Sequence, residues 1–192
     1  MSMSSAETVS NLGRLILVSG PTRSGKSEWA EQLAQQTRQS VVYIATSVLS
    51  PDDLDWQARI QIHRDRRPSD WACWEVPIAL ADVLSAPSDP CCLLVDSLGT
   101  WVANGLDQTP EDWTKIQNAL IQALENTAHQ VILVAEEVGW GIVPAYPTGR
   151  LFRDRLGDLV RRIGGIADQV YLVAAGYALD LKQLGQPVPA RH

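Results

Sequence analysis

With 192 residues, 45% of them hydrophobic and 20% charged, the chain has ordinary globular composition and room for one domain, so neither wholesale disorder nor a second domain is expected. Sixteen Lys and Arg against 22 Asp and Glu leave a formal net charge of −6, which argues against a nucleic-acid-wrapping surface and leaves open only a local basic pocket. No apolar run approaches the ~18 residues of a membrane span. The polar start, Met1 to Asn11, lacks the apolar core of a signal peptide, and the three cysteines, Cys73, Cys91 and Cys92, have no metal-ligand spacing. Buried thiols at Cys91 and Cys92 and a cytoplasmic location are the expectation.

In chain order, Arg14 to Ser19 reads as a first buried strand, followed by a helix from Lys26 to Arg38 and a strand from Val41 to Ala45. Ser50-Pro51-Asp52-Asp53 offers an N-cap, a proline at the first helical position and a carboxylate three residues after the cap. That helix would run toward Arg67 and stop before Pro68. Cys91 to Asp96 is the next strand. Thr109-Pro110-Glu111-Asp112 repeats the start signal ahead of a helix over Trp113 to Ala128. Gln130 to Ala135 and Gln169 to Ala174 are further strands, and Gly176 to Lys182 adds an edge strand. The strand runs are continuously apolar rather than alternating, as strands covered on both faces require. Five of them separated by helices predict a doubly wound, mostly parallel α/β sheet with an edge hairpin. The expected division is a short polar extension over 1–13, one domain over 14–182 and a loose tail over 183–192.

Gly20-Pro21-Thr22-Arg23-Ser24-Gly25-Lys26-Ser27 satisfies G-x-x-x-x-G-K-[ST] between a predicted strand and a predicted helix, the setting that gives the motif its meaning. Glycines let backbone N–H groups converge on phosphate oxygens at a helix N-terminus. Lys26 is expected at the β- and γ-phosphates and the Ser27 hydroxyl on Mg²⁺. Asp96, closing an apolar strand, is the candidate second metal ligand, with a helix N-cap as its compatible alternative.

The stretch Pro51 to Arg67 places Arg59, His63, Arg66 and Arg67 on one helical face. A solvated charged face is the plain reading. The competing one is chemical: neighbouring cations keep His63 neutral and nucleophilic, the arginines grip a triphosphate, and the imidazole attacks the α-phosphorus to form a phosphoramidate. Glu137 begins a Gly- and Pro-rich loop just past a strand, at the edge where open α/β sheets bind ligands, and the loop looks suited to moving over a substrate. Glu137 is therefore a catalytic candidate, with a solvated loop carboxylate as its alternative. Glu75, after Trp74, is a further nucleotide-site candidate whose alternative is simple exposure. Trp140, between two glycines of the Glu137 loop, is expected to be exposed.

Taken together, these motifs resemble the bifunctional adenosylcobinamide kinase/adenosylcobinamide-phosphate guanylyltransferase family of cobalamin biosynthesis. The resemblance runs from Leu15 to about Lys182: Leu17-Val18-Ser19-Gly20 through Ser27, Tyr43-Ile44-Ala45-Thr46-Ser47, Ala58-Arg59-Ile60 with His63, Arg67-Pro68 and Trp71, Leu94-Val95-Asp96 leading to Trp101 and Asn104, Glu137 through Pro144, then Arg150 to Asp154 and Gly157. Val160 and Arg161 depart from it, standing where the family often shows Asn-Gln. The resemblance implies a single RecA-like P-loop domain with two reactions. A nucleoside triphosphate, ATP or GTP with Mg²⁺, phosphorylates the hydroxyl of adenosylcobinamide. GTP then gives GMP to a histidine, here His63, which passes it to the new phosphate. A homo-oligomer, a trimer, with nucleotide sites near subunit contacts is also implied. The rival enzyme reading is a simple P-loop small-molecule kinase in which His63 is structural; a nucleotide-dependent switch is the rival from another class.

Overall fold

The apolar runs of the sequence become the centre of a seven-stranded sheet. The computed structural model describes residues 12–48 and 66–189. Its strands are β1 (Leu15–Gly20), β2 (Val41–Ala45), β3 (Ala72–Glu75), β4 (Cys92–Asp96), β5 (Gln130–Glu136), β6 (Gln169–Ala174) and β7 (Tyr177–Asp180). They lie in the order β3-β2-β4-β5-β1-β6-β7. All neighbours are parallel except β6 and β7. The helices are α1 (Lys26–Gln36), α2 (Leu80–Val83), α3 (Leu98–Asn104), α4 (Pro110–Asn126), α5 (Pro147–Ile166) and α6 (Leu181–Leu184). The predicted doubly wound α/β sheet is therefore present. So is the edge hairpin: Ala175 (φ 51°) and Gly176 (φ 81°) form its two-residue loop, the positive-φ pair that lets strands reverse with the right twist.

Alternate strand residues feed two apolar layers. Leu15, Leu17, Ile44, Leu93, Val95, Val131 and Leu133 face α3, α4 and α5, meeting Trp101, Trp113, Leu120, Leu156 and Leu159. Ile16, Val18, Tyr43, Leu94, Ile132 and Val134 face α1 through Ala30, Leu33 and Ala34. Each fully buried Leu or Ile contributes about 1.5–3 kcal/mol of transfer free energy, so these layers hold the strand ends rigidly. Cys91 and Cys92 are buried free thiols, as expected, and burial pushes the Cys92 thiol up to about 12.

Local signals explain most boundaries. The Thr109 side chain accepts from the Asp112 amide and Pro110 opens α4. Ser97 and Thr100 make a reciprocal capping box on α3. Helix α1 ends at Gln36, earlier than expected, because the Thr37 hydroxyl donates to the Ala34 carbonyl and Arg38 turns left-handed at φ 56°. Strand β3 has no apolar signature: it is a four-residue edge strand, mostly exposed, paired to β2 from Ala72 opposite Val42 to Glu75 opposite Ala45. At the other end, the expected loose tail begins inside α6, whose first amides are capped by Asp180, and the Pro189 carbonyl accepts from Arg161. The helix start at Ser50 to Asp53 lies outside the described residues. Among those described, no helix is long and apolar enough to cross a membrane.

Candidate functional site

The carboxyl ends of β1, β4 and β5 converge on one cavity of about 800 Å³, walled by the loop Thr22 to Ser27 on one side and by Tyr43, Arg67, Asp96, Ser97 and Glu136 on the other. The loop's shape follows from its glycines. A Cβ on Gly20 would sit 2.4 Å from the Val173 carbonyl oxygen and 2.7 Å from Ser24 Oγ, so only glycine lets β1 turn there. Gly25 is left-handed at φ 93° and precedes α1 with no side-chain cap. The first amides of α1 are thus left for a ligand, the arrangement that attracts phosphate. Ser24 Oγ is buried with no hydrogen-bond partner among the described residues, a polar atom that a phosphate oxygen in the loop would satisfy. Lys26, in the first turn of α1, lines the same cavity.

Across the cavity, Asp96 ends β4 and accepts a hydrogen bond from the Tyr43 hydroxyl at 3.1 Å. Burial, then the Asp96 charge, pushes the Tyr43 phenol far above its ordinary value, so it stays protonated and keeps donating. The Arg67 guanidinium lies 3.8 Å over the Tyr43 ring centroid, a cation–π stack. Ser27 is buried, and Ser27 and Asp96 both line this cavity. Two oxygen donors beside a phosphate cradle fit Mg²⁺, which binds through one or two protein oxygens plus substrate phosphates.

The sequence pattern points to Glu137; the cavity is lined instead by its neighbour Glu136. Glu136 Oε1 accepts from Ser97 Oγ at 2.5 Å and Oε2 from the Gly99 amide at 2.9 Å. Glu137 lies just past β5, donates its amide to the Gly20 carbonyl and turns its carboxylate onto the Gly139 amide at 2.5 Å. The signal that separates them is strand register: Glu136 is the last residue of β5 and pairs with Gly20. The loop after Glu137 is tied to α5, with Arg153 Nη2 on the Gly139 carbonyl and Arg150 Nη1 on the Pro144 and Ala145 carbonyls. Those ties count against a freely swinging flap. Trp140 is 65% exposed and Ile142 96%.

Of the other expected residues, Gly20, Pro21, Thr22, Arg23, Ser24 and Gly25 form the loop as described. Glu75 closes β3 as an exposed residue, opposite Ala45, which lines the cavity. Arg66 pairs with Glu28 at 2.5 Å and with the buried Glu31 at 2.7 Å, both on α1. Arg59 and His63 lie outside the described residues. Tyr43, Ser97, Thr100 and Glu136 are cavity residues that the sequence does not single out.

Residues 16–181 match the family described as cobinamide kinase / cobinamide phosphate guanyltransferase. The bifunctional adenosylcobalamin biosynthesis protein CobU of Salmonella typhimurium is 38% identical over 185 residues, covering 88% of this chain and 99% of that protein. CobP of Pseudomonas aeruginosa, of the same description, is 37% identical, covering 90% of this chain and 98% of its own length. Among solved structures, an ATPase from the type III secretion system of pathogenic bacteria superposes with a TM-score of 0.53 at 11% identity, over 90% of this chain and 53% of that one, a likeness of fold alone. With the family matched over nearly the whole sheet and two full-length relatives above 35% identity, the chain belongs to the cobinamide kinase / cobinamide phosphate guanyltransferase family.

Proposed function

We propose that this chain carries both family reactions, using one nucleotide cavity and the covalent guanylyl carrier His63. In the first reaction the hydroxyl oxygen of adenosylcobinamide attacks the γ-phosphorus of ATP or GTP, the bond to the bridging β–γ oxygen breaks, a nucleoside diphosphate leaves and the hydroxyl proton passes to solvent. The loop amides from Ser24 to Ser27 and the Lys26 ammonium hold the phosphates in place and balance their charge. Ser27 and Asp96 would hold Mg²⁺, which would supply charge neutralisation to the phosphates. In the second reaction a neutral His63 nitrogen attacks the α-phosphorus of GTP and pyrophosphate leaves. An oxygen of cobinamide phosphate then attacks the same phosphorus, releasing His63 and giving adenosylcobinamide-GDP.

The observation that carries this reading is the cavity itself, bounded by the phosphate loop, Asp96 and Arg67. Arg67 stands four positions after His63, and a span of that length reaches at most about 14 Å. We take Arg59 with Arg67 as triphosphate contacts, while Glu75 and Glu137 have support only from sequence. The exposed Trp140, Ile142, Val143 and Tyr146 suit contact with a second copy of the chain, in keeping with a homo-oligomer, and the buried thiols suit a reducing cytoplasm. The test is incubation with α-labelled GTP. Label should remain on the denatured wild-type protein and be absent from His63→Ala, while cobinamide phosphorylation persists in both. Phosphorylation with no retained label in the wild type would leave a simple kinase, and full labelling of His63→Ala would remove His63 from the mechanism.

A further inference from the structure

We infer that Tyr43 is a positioning residue for the transfer site, fixing Asp96 through its hydroxyl and Arg67 through its ring. The inference rests on the reading of Asp96 as a metal-holding carboxylate and adds what orients it. Tyr43 is on β2, whose end is in register with β4: Tyr43 opposite Leu94, Ala45 opposite Asp96. The side chain therefore starts one pleat below Asp96 and reaches along the sheet to it. Tyr43 is 4% exposed and packs in the layer under α1, so backbone and packing fix its ring before any ligand arrives. From that fixed base the hydroxyl donates to Asp96 Oδ2 at 3.1 Å and the upper face carries the Arg67 guanidinium at 3.8 Å.

A phenylalanine would fill the same volume, so packing alone accounts for the ring and not for the oxygen. Holding one carboxylate oxygen stops rotation of the Asp96 head group, which is how groups behind a metal ligand raise affinity for the ion. Arg67 Nη1 also donates to Cys73 Sγ at 3.3 Å; holding the guanidinium flat over the ring limits where the rest of its N–H fork can point, which would keep that part aimed at phosphate. One side chain thus sets both a metal-side and a phosphate-side contact, and the two roles separate by substitution. Tyr43→Phe deletes the hydroxyl and keeps the platform. Tyr43→Leu deletes both.

The experiment titrates Mn²⁺, as a spectroscopic stand-in for Mg²⁺, into the full chain saturated with a non-hydrolysable GTP analogue, and separately measures analogue affinity without metal. Tyr43→Phe should weaken Mn²⁺ binding roughly tenfold or more and leave metal-free analogue affinity within about twofold. Tyr43→Leu should lose metal-free affinity as well, by roughly threefold or more. Mn²⁺ binding by Tyr43→Phe within about twofold of wild type would overturn the inference, as would an equal loss with and without metal, the mark of a general folding defect. Asp96→Asn is the control. If that variant keeps wild-type Mn²⁺ affinity, Asp96 is not the metal group and the reading of the site fails with the role of Tyr43. If it loses affinity while Tyr43→Phe does not, only the role of Tyr43 fails.

Discussion

Gly20→Ala is expected to damage the phosphate loop and the fold together. The added Cβ would meet the Val173 carbonyl oxygen at 2.4 Å, about 1 Å inside the 3.4 Å where ordinary contact begins, and Ser24 Oγ at 2.7 Å. The hydroxyl can rotate away; the carbonyl cannot, because β1 is hydrogen-bonded to β5 on one side and to β6 on the other and Val173 is itself buried. Relief must come from moving the end of β1. Overpacking of that kind costs about 1–3 kcal/mol, and the clash is with backbone, which points to the upper end. Because the displaced segment is the start of the loop, nucleotide affinity should fall at least tenfold, roughly 1.4 kcal/mol. Gly165→Ala is the matched control. It lies exposed in α5 with nothing within 4 Å of a new Cβ, so reduced backbone entropy in the unfolded chain should stabilise it by about 0.5–1 kcal/mol. Urea unfolding reads stability, and a fluorescent GTP analogue reads affinity. A Gly20→Ala protein within about 0.5 kcal/mol of wild type in both would refute the close-approach argument, since that is the scatter of harmless surface changes.

Lys26→Ala should lose a charge-assisted contact worth about 1.5–3 kcal/mol, a roughly ten- to hundredfold loss of GTP affinity by titration, with the melting temperature nearly unchanged because the side chain lies in the cavity wall. Thiol titration of the native protein at pH 8 should find Cys73 fast, being exposed, and Cys92 slow, its thiol held near 12 by burial; a fast Cys92 would contradict the packing under α1. Stability should fall as pH rises above about 10. The folded Tyr43 phenol has a raised pKa, so its contribution is complete below the unfolded value near 10 and is lost as the unfolded phenol ionises. Tyr43→Phe should remove that part of the alkaline loss in urea midpoints measured between pH 8 and 11.

The sequence resolves what local chemistry determines. The two-sided burial of β1, β2, β4 and β5 is written as unbroken apolar runs, and the phosphate loop as glycines whose steric reasons reappear at Gly20 and Gly25. Asp96 is legible because a carboxylate that ends such a run must sit where the strand leaves the core, at the sheet edge that binds ligands. What escapes is set by lateral neighbours. β3 has exposed residues and one partner, so no periodicity marks it. Glu136 and Glu137 are equivalent on paper, and only the pairing of Glu136 with Gly20 across β1 and β5 decides which carboxylate meets the cavity. The same holds for charge. Arg66 and Arg67 are adjacent in a basic stretch, yet one is bound to two carboxylates of α1 and the other rests on Tyr43 at the cavity wall. Consecutive residues leave a chain in different directions, so a run of like charges states how many cations are available and not where each one acts. The Tyr43–Asp96 contact is the extreme case. Fifty-three positions separate the two residues, and they meet only because β2 lies beside β4 in the sheet order. Strand order is a property of how the whole sheet packs, so the orientation of the site is a tertiary fact even where its chemical groups can be read from the sequence.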